Sequence, residues 1–279
     1  MDWKGREQSQ NVEDRRGSGG GGGGGRTPGI LGIIVVLIGA YYGVDLSGLV
    51  GTPSMGTGST QTSQLKPQEE AELNELARVV LADTEKAWGS YFKQIGRTYT
   101  PTTLVLYNGG TSTACGMGQS AMGPFYCPGD QKVYLDLDFY RDMQTKLNSA
   151  SDAAFAYVIA HEVGHHVQNL LGILPKVHRM QQQVGKKEAN ALSVKLELQA
   201  DCYAGIWGHY AVNNNIFKPE DIPKAMLAAE SVGDDRLQKD GQGYVVPDSF
   251  THGSSEQRMA WLKRGLDSGD INQCNTFGN

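Results

Sequence analysis

Three histidines and a glutamate fall within six residues of AYVIAHEVGHHVQNLLG, a stretch over 156–172 that is otherwise largely apolar. At about 100° per residue on a helix, His165 projects about 40° from His161 and Glu162 about 100° from it, so the three share one side. Ile159, Val163, Val167 and Leu170 gather opposite, which leaves the helix a separate apolar face to bury. Two imidazoles one turn apart can both reach a tetrahedral Zn²⁺, and a glutamate beside the first can accept a proton from a water that the metal acidifies. This HExxH spacing points to zinc-dependent hydrolysis with one Zn²⁺ per chain. His161 and His165 are its ligands and Glu162 its general base. His166 projects between the two faces and is assigned a packing role.

Two histidines leave a zinc site incomplete. The pattern HExxHxxGxxH would supply a third directly, but Gln168 and Leu171 occupy its glycine and final histidine positions. Further on, ANALSVKLELQADCYAGIWGHY places Glu197 and Asp201 one turn apart. Leu196, Leu198 and Ala200 around them make a poor solvated face, so an ion pair of Glu197 with Lys195 is the weaker reading. Ser193, Ala204 and Gly208 share the face of the acidic pair and would let this helix approach the catalytic one closely. Glu197 is the favoured third ligand, with Asp201 accepting the free ring N–H of a ligand histidine. Asp201 itself and His209 are the competing ligands.

These helices belong to a chain of 279 residues, 39% hydrophobic, with room for a substantial core. A formal net charge of −5 and the lack of a basic face beyond Arg26 argue against nucleic-acid binding. Residues 1–27 are charged and then glycine-dominated, a composition expected to stay disordered. The sixteen uncharged residues GILGIIVVLIGAYYGV at 29–44 end in a tyrosine pair suited to a membrane interface. Residues 28–47 are therefore expected to form a transmembrane anchor. A cleaved signal peptide and a buried core helix are the alternatives. Lys4, Arg6, Arg15, Arg16 and Arg26 precede the span, which puts the N-terminus in the cytoplasm and the remainder outside. A Gly/Ser/Thr-rich tether over 48–67 leads into a domain at 68–279.

That domain opens on a long amphipathic helix, QEEAELNELARVVLADTEKAWGSYF. TTLVLY and KVYLDLDF then read as strands, with Asp136 and Asp138 on the solvated face of the second. Helices follow, so the expected class is α+β, mainly helical with a small sheet and preceded by one transmembrane helix. An extracytoplasmic domain makes Cys115, Cys127, Cys202 and Cys274 candidates for two disulfides, with three possible connectivities. The preferred pairing joins Cys115 to Cys127 and Cys202 to Cys274.

HEVGHH followed by ELQADCYAG resembles the gluzincin arrangement of HExxH with a downstream ExxxD. With GPFYCPGDQKVYLDLDFY, NVEDRRG and YYGVDLSGL, the chain is similar over nearly its whole length to the bacterial family of neutral zinc metallopeptidases. The resemblance implies a zincin-like fold, a bacterial inner-membrane location, zinc ligands His161, His165 and Glu197, and catalytic Glu162. SFTHGSSEQRMAWLKRGL is similar to the segment of related membrane gluzincins in which a histidine and an arginine follow the zinc site. It implies His252 as oxyanion stabiliser, with Tyr203 and Tyr244 as alternatives, and Arg258 as partner of a carboxylate such as Asp201. The other reading of this segment is a helix cap at Ser254 or Ser255. By the same likeness KVYLDLDF borders the cleft and offers its free edge to an extended peptide.

The leading function is thus a membrane-anchored zinc endopeptidase acting on a peptide or protein substrate. A catalytically idle zinc-containing binding or chaperone module at the cell envelope is the alternative, and hydrolysis of a non-peptide amide a third.

Overall fold

The computed structural model describes residues 1–16 and 63–278. Strand β1, Val12–Asp14, lies in the N-terminal segment. Helix α1, Pro67–Gln94, follows, with Pro67 at its start and Glu69 and Glu70 in the first turn, where acidic side chains complement the helix dipole. Then come β2, Thr103–Tyr107; β3, Gly110–Thr113; β4, Gly116–Gln119; β5, Phe125–Cys127; and β6, Lys132–Asp136. The helices α2, Phe139–Thr145, and α3, Asp152–Leu170, follow, and Ser151 caps α3 by accepting from the Ala154 N–H. Helices α4, Ile173–Gln181; α5, Lys186–Asn213; α6, Ile222–Ser231; α7, Asp234–Gln242; and α8, Ser255–Ser268, complete the fold.

The four-stranded sheet has the order β1-β2-β6-β5, with β1, β2 and β6 parallel and β5 antiparallel to β6. Strand β6 is therefore internal, and the edge beside the helices is β5, which corrects the expectation of a free edge on KVYLDLDF. Nor do its aspartates simply face solvent: Asp136 is buried, and both carboxylates are bonded to neighbouring segments. Asp136 accepts from the Gly109 and Asp138 N–H groups and from the Ser120 hydroxyl, and Asp138 accepts from Ser63 Oγ and the Gln64 N–H. The alternation was a misleading guide, because these carboxylates tie down neighbouring loops at the strand's end.

Of the tail expected to stay disordered over 1–27, residues 1–16 are built into the domain. β1 pairs with β2 in the register Val12 to Leu104, Trp3 is buried with its Nε1–H bonded to Asp152, and the Met1 amino group meets Asp221. Arg16 bridges Asp14 and Glu70 at the start of α1. Leu104, Asp152, Asp221 and Glu70 lie far along the chain, so local composition could not reveal these contacts.

Two expectations are corrected together. Among the described residues no helix is long and apolar enough to cross a membrane, so the fold is mainly helical with a small sheet and loses the preceding transmembrane helix. The single-pass inner-membrane location fails with it. β1 pairs within the domain's own sheet, whereas one crossing would put the N-terminus and the domain on opposite sides. Residues 17–27 of the expected tail, the stretch read as the anchor, 28–47, and the tether up to Thr62 lie outside the described residues.

Helix α3 lies at the centre, packed by α1, α5 and α6. It approaches α5 where Gly164 faces Ala200, whose carbonyl oxygen would lie 3.0 Å from an added Cβ. Gly208, expected on that face, packs instead on Leu266 of α8. Helices α5 and α8 are closer still: a Cβ on Gly265 would lie 1.9 Å from the Cys202 carbonyl oxygen, and one on Gly205 2.2 Å from that of Leu262. Two disulfides, Cys115–Cys127 and Cys202–Cys274, join the preferred pairs. One fastens the β3–β4 hairpin to β5, and the other the C-terminal segment to α5.

Candidate metal centre

His161 and His165 project from one face of α3, and Glu197 meets them from α5. One donor atom from each lies within 4.8 Å of the other two. Glu197 Oε2 is 3.0 Å from His161 Nε2, and Oε1 is 3.3 Å from His165 Nε2. Two imidazole nitrogens and a carboxylate, with room for a further ligand from solvent, are a donor set that fits a catalytic zinc. The competing ligands lie elsewhere: His209 Nδ1 is bonded to the Leu266 carbonyl, and Asp201 stands behind His161.

The far nitrogens of both rings are held. His161 Nδ1 lies 2.8 Å from Asp201 Oδ1, and His165 Nδ1 lies 2.9 Å from Gln168 Oε1. Gln168 is itself oriented, donating through Nε2 to the Leu196 carbonyl and to Gln199 Oε1. Asp201, fully buried, also accepts from Tyr157 OH at 2.6 Å and from Arg258 Nε and Nη2 at 2.9 and 3.0 Å. Arg258 Nη2 reaches Glu197 Oε2 at 3.9 Å. Sequence reading missed Gln168, seen only as the absent glycine of another motif, and Tyr157. Both signals were local, since Gln168 is three residues after a ligand and Tyr157 four before one, each a neighbour on the same helix face.

Charge pairing dominates the electrostatics. Burial disfavours charge on His161, but Asp201 and Glu197 override it and raise the ring's pKa to about 10. Burial likewise opposes ionisation of Glu197, yet the two histidines hold it well below the usual carboxylate range. Arg258 and His161 do the same for Asp201 against its own burial. Glu162 behaves oppositely, its pKa raised by burial, which makes it a stronger proton acceptor than a solvated glutamate.

The donors open on a cleft of about 200 Å³. Phe125 and Tyr126 of β5, with Phe139, supply apolar lining, and Glu162 and His252 also line it. His166 faces away, its ring bonded to Tyr126 OH and the Thr100 carbonyl, and so fastens the edge strand to α3. His252 is set by Asp234, whose Oδ2 accepts from the N–H groups of Thr251, His252 and Gly253 and whose Oδ1 lies 3.2 Å from His252 Nδ1. Asp234 had no signature in the sequence, because the contact spans eighteen residues and a helix boundary. Ser254 caps α8 by accepting from the Gln257 N–H, so the cap and a histidine in the cleft coexist in one segment. Of the alternative oxyanion donors, Tyr203 packs edge-on against Trp88 in the core and Tyr244 is 63% exposed.

The family model described as "putative neutral zinc metallopeptidase" matches residues 1–277. A protein of Escherichia coli strain K12, "Uncharacterized protein YpfJ", is 54% identical over 287 aligned positions, covering 100% of this chain and 99% of its own. "Uncharacterized protein Rv2575" of Mycobacterium tuberculosis strain H37Rv is 40% identical over 219 positions, covering 74% of this chain and 73% of its own. No solved structure matches.

Proposed function

The chain belongs to the family described as putative neutral zinc metallopeptidases, and from that premise we propose that it is a zinc-dependent endopeptidase cleaving peptide or protein substrates in the cleft beside His161, His165 and Glu197. The convergence of these three donors beside Glu162 carries the reading. When bound, zinc supplies Lewis acidity, withdrawing charge from a carbonyl oxygen and lowering the pKa of a water. Glu162 takes the water's proton and passes it to the leaving amine. His252, held by Asp234, donates to the oxyanion that develops on the carbonyl oxygen. With zinc bound, Asp201 and Gln168 would accept the Nδ1–H of the two ligand rings and so turn Nε2 of each towards the metal, and Arg258 neutralises the buried charge of Asp201. The substrate lies extended along edge strand β5, whose Phe125 and Tyr126 offer apolar contact.

The alternative is an idle module that keeps zinc for stability. Glu162 favours the enzyme. It lines the cleft and makes no hydrogen bond among the described residues, so the fold gives it no structural task. The test is metal analysis alongside casein cleavage. The purified protein is expected to hold about one equivalent of zinc, to lose cleavage with a chelator and to regain it with zinc. Full zinc occupancy without cleavage of casein or of a peptide library would favour the idle module.

A further inference from the structure

The chain has six histidines. Five of them, His161, His165, His166, His209 and His252, hold ring nitrogens in hydrogen bonds. His178 makes none among the described residues, although it is only partly exposed and lines the same cleft as Glu162 and His165. Its position is fixed. Gly172, left-handed at φ 79°, turns the chain out of α3, and buried Leu174 and Val177 anchor α4 so that His178 faces the cleft.

Among the described residues no side chain of the neighbouring wall is hydrogen-bonded to it. Gln181 gives its amide hydrogens to the Ala189 carbonyl and to Ser193 Oγ, and Leu174 and Leu196 are apolar. Burial, with the nearby His165 adding to it, lowers the pKa of His178 and keeps the ring neutral. A neutral imidazole presents one donor and one acceptor, which matches the alternating N–H and C=O groups of an extended peptide.

We infer that His178 is a substrate-positioning residue, hydrogen-bonding the backbone of a bound peptide on the His165 side of the cleft. The inference rests on the endopeptidase reading and adds a second point of attachment to the one offered by β5 in the same cleft. A residue that served only to pack α4 would tolerate an apolar ring of similar size, whereas a positioning residue would not.

The test is binding of fluorescein-labelled casein to zinc-loaded protein carrying Glu162→Gln, so that substrate is held without turnover. Adding His178→Phe is expected to weaken binding about two- to ten-fold, the factor a neutral hydrogen bond contributes. His178→Gln, which keeps a donor and an acceptor, should retain more of the affinity, and His178→Ala should match the phenylalanine variant. Zinc content and thermal midpoint should stay at the parent values. With Glu162 intact, the same changes should raise KM and leave kcat within about two-fold. Equal affinity in all four proteins overturns the inference, as does a fall in kcat with affinity unchanged. Wild-type cleavage of casein with no effect of His178 would leave the peptidase reading standing alone; His178-dependent binding with no wild-type cleavage would do the reverse.

Discussion

Asp201 meets Nδ1 of His161 at 2.8 Å while Arg258 grips the same carboxylate through Nε and Nη2. The first contact fixes the ring that presents Nε2 to the metal, and the second compensates a charge buried away from water. Asp201→Asn is expected to weaken zinc binding about 10- to 100-fold and, by stranding Arg258, to destabilise the fold by about 3–5 kcal/mol. Adding Arg258→Met should restore much of the stability and none of the zinc affinity. Urea unfolding and competition with a chromogenic chelator measure the two effects separately.

The N-terminal segment is expected to be a structural part of the domain. A chain beginning at Gln68 loses β1, Trp3 and the Arg16–Glu70 ion pair, and leaves the edge of β2 bare. It should melt lower than the full chain and aggregate more readily.

Close helix packing supports the site from behind. Gly265→Ala puts a methyl group into the backbone of α5, and α8 must shift with Arg258 upon it. A loss of about 1–3 kcal/mol or more is expected, together with weaker zinc binding. Gly89→Ala is the control. Its helical position on α1 has open space around it, and the change should be neutral or stabilise by about 0.5–1 kcal/mol. Chemical denaturation of both variants checks the contrast.

Acid should weaken the tie between α3 and β5. Burial holds the His166 pKa below its ordinary value, so as pH falls the unfolded chain takes up the proton first. The stability that neutral His166 contributes is therefore fully present above about pH 6.5 and is lost as pH falls towards the lower folded value. Unfolding free energies of metal-free protein at about pH 8 and about pH 5.5 should differ less in His166→Gln than in the parent. An unchanged pH difference would show that His166 is not a source of acid sensitivity.

What the sequence makes legible is mostly local. The His161–His165 pair is visible because both lie on one helix a turn apart, and Glu197 with Asp201 because four-residue spacing survives into α5. β1 is invisible: three residues, VED, pair with a strand some ninety positions away, and nothing in their composition announces it. The apolar run at 29–44 invites a membrane reading for the same reason, since local hydropathy cannot show that the segments on either side join one sheet and one core. Asp136 and Asp138 mislead because a polar residue at a strand's end can face solvent or cap a loop, and alternation alone does not distinguish the two. Asp234 escapes because its contact with His252 spans α7 and the loop beyond.

The central claim is that Glu162 performs chemistry beside a zinc held by His161, His165 and Glu197. Glu162→Gln preserves side-chain size and leaves all three ligands in place, so zinc content and casein cleavage measured on the same sample separate binding from catalysis. The account predicts about one equivalent of zinc retained and cleavage reduced at least about a hundredfold. Cleavage near the wild-type rate in a zinc-loaded Glu162→Gln protein would contradict it.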